Sequence, residues 1–324
     1  MSAATGAIPL LVIGGPTATG KTEMALRVAE QLGGEIVSAD SMQIYRRMDI
    51  GTAKPTAAER ARAPIHLIDF VPPDAQYTVV DFCADAAPLI AEIHARGRLP
   101  ILCGGTGLYL RALTEGFDFP PGRRGGEVRE RLRAEADELG AEAMHRRLAG
   151  VDPAAAERIA PGDTRRIVRA LEVHALTGEP MSAAQGRRQP VDAAGAPEYN
   201  CAQYVLTAPR QLLFERIERR VERMMAAGWL DEVRALMAQG VAAQAQSMQA
   251  IGYRHLLQHL NGERDLDETV RLIKRDTRRY AKRQMTWLRG GDEYRWLAIG
   301  SERQRGACIG IIARAAQHLS RMGD

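Results

Sequence analysis

Cysteine is scarce in this chain. Its four copies, Cys83, Cys103, Cys201 and Cys308, are scattered over 324 residues with no C-x-x-C pair. That spacing suggests neither a disulfide framework nor a zinc site. Lysine is scarcer relative to its partner: only Lys21, Lys54, Lys274 and Lys282 stand among 44 basic residues. A bias that wide can follow genome composition, so arginine richness alone names no partner. The first apolar run, Ile8 to Ile13, has no basic segment before it and ends in Gly14-Gly15. It therefore reads as a core strand rather than a signal peptide or a membrane span, and a cytoplasmic protein is expected. Internal repeats are missing too, as is any low-complexity tract beyond short alanine-rich stretches.

What is present is an ordinary globular composition, 45% apolar and 26% charged, over a length that allows one large or two smaller domains. The net charge of +4 is unevenly spread. Residues 1–120 carry 10 Lys/Arg against 13 Asp/Glu, residues 121–200 balance at 13 each, and residues 201–324 carry 21 against 14. A basic last third points to a polyanionic partner larger than a nucleotide.

Residues 15–22 read Gly15-Pro16-Thr17-Ala18-Thr19-Gly20-Lys21-Thr22, a complete G-x-x-x-x-G-K-[ST] phosphate loop. The strand-like run before it and the helix-like Glu23 to Leu32 after it supply the required context. Backbone N–H groups at the helix start would hold phosphate, Lys21 would add a point charge, and Thr22 would offer a hydroxyl to Mg²⁺. Further strands are predicted at 35–39, 65–70, 99–103 and 203–207, with helices between, as at 79–96. That alternation gives an α/β fold with a parallel sheet covered by helices on both faces. Ligands then bind at the carboxyl ends of the strands, where Asp40, Asp69 and Thr106 fall.

From Pro120 to about Asn200 the alternation stops. Helical patterns at 127–139, 141–148, 152–159 and 164–177 predict an inserted all-helical domain over 120–200, closed by a loop at 187–197. The core would then comprise 1–119 and 201–324, the latter ending in a helical region. A long helix is predicted over 212–236, interrupted at Gly228. Another, over 266–288, carries an apolar stripe of Leu266, Val270, Ile273, Thr277, Tyr280 and Trp287. Its other face is basic: eight Lys/Arg between 271 and 289 meet one acid, Asp276. A solvated face usually mixes signs, so nucleic acid is the favoured partner of this one.

The string Ser38-Ala39-Asp40-Ser41-Met42-Gln43-Ile44-Tyr45, continuing to Pro55, closely resembles a signature of the tRNA dimethylallyltransferases. Five more blocks follow the family order: GPTATGKT at 15–22, CGGTGLYLRAL at 103–113, TRRIVRALEV at 164–173, MQAIGYR at 248–254 and TRRYAKRQMTWLR at 277–289. Thr19 stands where the family usually has Ser. The resemblance runs from residue 11 to about 290. It implies a P-loop NTPase-like core with an inserted tRNA-gripping domain, acting as a monomer with Mg²⁺. The reaction implied is transfer of a dimethylallyl group from dimethylallyl diphosphate to N6 of adenosine 37 in the tRNA anticodon loop.

It also implies roles. Thr17, Lys21, Arg216 and Arg220 would hold the diphosphate, with Arg220 the arginine assigned to catalysis; the same-helix alternative for both arginines is pairing with Glu215, Glu218 or Glu222. Asp40 would accept the proton of the adenine amine, the alternative being a water-mediated Mg²⁺ contact. Contacts to tRNA would come from Asp40, Ser41, Met42 and Gln43, from Thr106 and Val128, and from Thr164, Arg165, Arg166, Ile167 and Val168. Met248, Gln249, Gly252, Tyr253 and Arg254 would add to them, and the basic helix would contribute Arg278 and Lys282. The competing readings are a small-molecule P-loop kinase, a prenyltransferase acting on free adenine nucleotides, and a non-catalytic RNA-binding module. The basic helix and the insertion argue against the first two, the intact loop with Asp40 against the third.

Overall fold

A computed structural model describes residues 7–117, 126–184, 198–291 and 293–322. The opening of the expected insertion at Pro120 and the loop expected at 187–197 lie outside the described residues. Two compact units divide the chain: 1–114 with 190–324, and 115–189.

The first unit is built on six parallel strands: β1 (Ile8–Gly14), β2 (Glu35–Ala39), β3 (Ile65–His66), β4 (Pro100–Gly104), β5 (Tyr199–Thr207) and β6 (Arg295–Ala298). Their order is β3-β2-β4-β1-β5-β6. Side chains alternate across the pleat, and so does the core. Leu10, Val12, Val37, Leu102 and Val205 enter one apolar cluster, while Leu11, Ile13, Ile36, Ile101 and Leu206 enter the other. The first cluster also takes Phe82, Ile90 and Ile93 from the helix Val79–Ala95, together with Trp229 and Tyr253. The second takes Met24 and Val28 from the helix Lys21–Leu32, and Cys308 and Ile312 from the last helix, Glu302–Met322. Burying both faces of a parallel sheet is what makes its strands continuous apolar runs. All four cysteines are free thiols, Cys103 and Cys308 buried, Cys83 and Cys201 half-buried.

Two elements depart from the sequence reading. The strand expected over 65–70 stops at His66, because Leu67 (φ 56°) and Asp69 (φ 60°) adopt left-handed backbone and turn the chain out of the ladder. The helix expected over 212–236 breaks at Gly228 as its glycine predicts, where φ is 94°, leaving Arg210–Ala226 and Trp229–Ala238. The edge strand β6 was not anticipated; its four residues are mostly exposed and carry no alternating pattern.

The second unit is helical: Glu127–Leu139, Ala141–Val151, Pro153–Arg158, Thr164–Thr177 and the short Met181–Ala184. Leu132, Met144, Leu148, Ile167 and Leu171 form its core. Glu172 is buried there at 1% exposure and is offset by Arg129 and by Arg169 at 2.6 Å.

Candidate active site

The phosphate loop closes the carboxyl end of β1. Ala18 takes φ 65° and Gly20 φ 80°, the left-handed turns that swing the chain into the helix beginning at Lys21. Thr19 is buried, and its hydroxyl donates to the Pro16 carbonyl at 2.8 Å, so this residue braces the loop from within. A threonine performs that bond as well as a serine would.

Lys21 is half-buried. Loss of water lowers the pKa of its ammonium, while the nearby Asp40 carboxylate raises it and Arg220 lowers it further. Arg220, from the Arg210–Ala226 helix, is likewise lowered by burial and supported by Asp40. One carboxylate therefore serves two cations beside a phosphate loop. Asp40 is itself fixed: Oδ1 accepts from the Met42 amide at 3.0 Å and the Gln43 amide at 3.3 Å, an Asx-type turn.

The end of β4 completes the arrangement. Thr106 Oγ1 accepts from the Ser41 amide at 3.1 Å and lies 3.4 Å from the Ser41 hydroxyl. Tyr280 hydrogen-bonds with Thr106 and Gln284, and burial raises its phenol pKa. A side chain at Gly105 would place Cβ 2.4 Å from Gln284 Nε2 and 3.3 Å from Lys21 Nζ, so only glycine fits between them. Thr17, Lys21, Asp40, Ser41, Thr106 and Arg220 are thus brought together.

Arg216 is not among them. It donates to the Ile299 carbonyl at 3.3 Å and faces Arg305 and Arg219, and no ion pair to Glu215, Glu218 or Glu222 is seen among the described residues. Arg216 and Arg220 share one face of the helix, a turn apart, and Arg216 is the one drawn to the Ile299 carbonyl while Arg220 is coupled to Asp40. Thr22 is half-buried at the start of the helix.

Four residues expected to touch tRNA need correction: Met248 and Tyr253 are fully buried in the sheet core, and Ile167 and Val168 are buried in the helical unit. Each is apolar, or aromatic with its hydroxyl bonded to Glu232 at 2.5 Å, and each packs inward. Gly252 is buried beside Tyr253, against Trp229. Gln249, Arg165 and Arg166 are exposed, Val128 and Thr164 half-buried. Arg254 is exposed and reaches Asp276 at 3.4 Å, in a cleft of about 460 Å³ shared with His255, Arg264 and Arg275.

The basic helix, Leu266–Arg289, also needs correction in detail. Arg278 pairs with Glu218, and Arg275 and Arg279 reach Asp276 at 2.9 and 3.5 Å. Lys282 is exposed, its ammonium 5.9 Å from the centre of the Phe214 ring. Trp287, placed in the apolar stripe by its spacing, is 40% exposed beneath Arg111. Gln284 went unnoticed because a glutamine on a basic helix reads as surface, yet it is 5% exposed.

The strand order, the phosphate loop and the two cations around Asp40 define a P-loop α/β enzyme. A family model described as IPP transferase matches residues 43–291, and one described as isopentenyl transferase matches 8–68. A tRNA dimethylallyltransferase of Geobacter metallireducens is 51% identical over 89% of this chain and 92% of its own length. One of Syntrophobacter fumaroxidans is 47% identical over 98% and 90%. The full-length tRNA isopentenylpyrophosphate transferase of Bacillus halodurans superposes with a TM-score of 0.70 at 40% identity, covering 97% of this chain and 99% of that one. A eukaryotic dimethylallyltransferase acting on tRNA superposes with a TM-score of 0.78 at 25% identity, over 97% and 80%. The chain belongs to the IPP transferase family, that of the tRNA dimethylallyltransferases.

Proposed function

We propose that the chain transfers a dimethylallyl group from dimethylallyl diphosphate to N6 of adenosine 37 in the tRNA anticodon loop, releasing diphosphate. What carries this reading is the electrostatic coupling of Asp40 to both Lys21, in the phosphate loop, and Arg220. As the allylic C–O bond breaks, negative charge builds on the leaving diphosphate. The loop amides, Lys21 and Arg220 stabilise it without reorganising. The donor's phosphates then occupy both cations, and Asp40 is left as the base for the amine proton. Thr17 remains in the proposal as a loop donor, and Arg216, held on the Ile299 carbonyl, does not.

The Thr22 hydroxyl and the Asp40 carboxylate are hard oxygen donors of the kind Mg²⁺ accepts. No group of three or more His, Cys, Asp or Glu gathers among the described residues, so a magnesium ion here would rest chiefly on diphosphate and water, with Thr22. Bound Mg²⁺ supplies positive charge against the departing oxygens.

The target adenine leaves its stack to reach the pocket. Ser41, Met42, Gln43 and Thr106 border that pocket. The helical insertion, drawn at 120–200, would hold the anticodon arm through Arg165 and Arg166, with Gln249, Arg254 and Lys282 as further phosphate contacts. No helix among the described residues is long and apolar enough to cross a membrane. A cytoplasmic monomer fits this task. The test is to offer labelled dimethylallyl diphosphate with unmodified anticodon stem-loop RNA or with AMP. Label on the RNA supports the reading, and label on AMP alone replaces it with a free-nucleotide prenyltransferase.

A further inference from the structure

We infer that Glu232 is a positioning residue for the RNA side of the site, acting on the Asp40–Gln43 turn through the loop at 49–53. This rests on the reading proposed above.

The loop that follows Asp40 is strained. Arg47 (φ 62°) and Ala53 (φ 48°) both take left-handed backbone with a side chain present. Such residues persist only where the surroundings over-determine them. Here the surroundings come from 181 to 183 residues further along the chain. Glu232, on the Trp229–Ala238 helix, accepts the Asp49 and Ile50 amides on Oε2 at 2.8 and 2.7 Å, and the Gly51 amide on Oε1 at 3.1 Å. Oε1 also accepts the Tyr253 hydroxyl. A carboxylate receiving three consecutive amides is a strong, directional clamp.

The packing admits nothing looser. A Cβ at Gly51 would lie 2.0 Å from Trp229 Nε1, and one at Gly252 would lie 2.0 Å from the same indole. The loop backbone therefore rests directly on the helix that carries Glu232. From there the path to the site is short. Gln43 Nε2 donates to the Thr52 and Ala53 carbonyls at 3.2 and 3.1 Å, and the Gln43 amide donates to Asp40 Oδ1. The other end of the loop is held by Lys54, buried, at 2.6 Å from Asp49 and 2.7 Å from Asp69. Glu232 touches neither the phosphate loop nor Lys21. Its loss should thus disturb Gln43 and Asp40 while the diphosphate pocket stays intact.

The experiment compares Glu232→Gln with Val233→Ala, a neighbouring core residue on the same helix whose side chain makes no hydrogen bond to the loop amides. Glu232→Gln turns an amide NH₂ toward backbone donors, which it cannot accept from. Expected is a fall of about tenfold or more in kcat/KM for stem-loop RNA, with donor Kd within about twofold of the parent. Hydrogen exchange at the 49–51 amides should speed up in Glu232→Gln alone. Val233→Ala, compared at the same distance below its own Tm, should keep parental kcat/KM. If Glu232→Gln folds poorly, Tyr253→Phe removes one of the four bonds and should move kcat/KM for RNA the same way by about two- to fivefold. Equal kinetics for Glu232→Gln and Val233→Ala would overturn the inference, as would an equal loss of donor affinity. The parent's own turnover on RNA tests the underlying reading, and the exchange measurement reads the clamp without it.

Discussion

Gln284 ties Thr17 to Gly105: its Oε1 accepts the Thr17 amide at 2.9 Å and its Nε2 donates to the Gly105 carbonyl at 2.8 Å. A buried amide side chain thus bridges the phosphate loop and the end of β4. Gln284→Ala leaves two backbone groups unpaired at a cost of about 1–3 kcal/mol, and it loosens the loop. A raised donor KM together with a lower Tm is expected. Calorimetric donor binding checks it, and an unchanged donor Kd would show that the bridge is structural only.

Asp40→Asn keeps the size and the turn but removes the base. We expect kcat to fall by about 10²–10⁴-fold with RNA affinity retained. Single-turnover rates across a Mg²⁺ series separate the two roles of the carboxylate. Recovery at high Mg²⁺ would make Asp40 a metal partner instead.

Lys21 supplies a pH signature. Burial lowers its pKa below the ordinary lysine value, so the ammonium is charged in acid and is lost, as pH rises, on a limb that lies beneath 10.5. Because kcat/KM reports the free enzyme, donor kcat/KM should decline along that limb. Asp40 raises the lysine pKa, so Asp40→Asn must move the limb to lower pH. Lys21→Ala should abolish the limb and weaken donor binding. A limb unmoved by Asp40→Asn would contradict the coupling between the two groups.

Burial works to raise the pKa of Asp276, but the hydrogen bonds and charge of Arg275 and His255 outweigh it and hold it at about 2 against an ordinary 3.8. A depressed carboxylate contributes stability that is fully present above about pH 4 and disappears as pH falls through about 2. The difference is worth about 2 kcal/mol. Asp276→Asn should be less stable than the parent at pH 6, and the gap should close toward pH 2. Urea midpoints across that range decide it; a constant gap would assign the loss to packing.

The basic helix should act on RNA through phosphate charge. Arg278 is committed to Glu218, so the informative reversal is Arg279→Glu with Lys282→Glu, both exposed. Each lost phosphate contact should reduce the log–log salt slope of RNA binding by about 0.7. Affinity across a salt series should give a flatter line for the double variant. Parallel lines would assign this face to solvent.

The phosphate loop, the parallel sheet and Asp40 were legible because each is local: a glycine spacing, an apolar run, an acid after a strand. The helical insertion was legible where its apolar periodicity was strong. What escaped depended on distant partners. Glu232 reads as one acid on an amphipathic helix until the 49–51 amides are found beneath it, and Gln284 reads as surface until Thr17 and Gly105 meet it. The truncation of β3 at His66 was hidden for the opposite reason. Leu67 and Asp69 are ordinary residues forced into left-handed backbone by a segment paired with 43–46, through bonds such as Asp69 N–H to the Gln43 carbonyl. The family resemblance likewise placed Met248 and Tyr253 in a contacting block without revealing which of its residues point inward.

The four free cysteines carry a practical consequence. Burial raises every one of their thiol pKa values, to about 11 at Cys83 and about 12 at Cys103 and Cys201, with Cys308 raised as well. Since the thiolate is the reacting species, none competes well for a maleimide at neutral pH. A single cysteine introduced at Lys282 would therefore take a fluorophore selectively, with no native thiol removed. The same molecule could then report, by energy transfer to labelled RNA, when the anticodon arm arrives and when the modified product leaves.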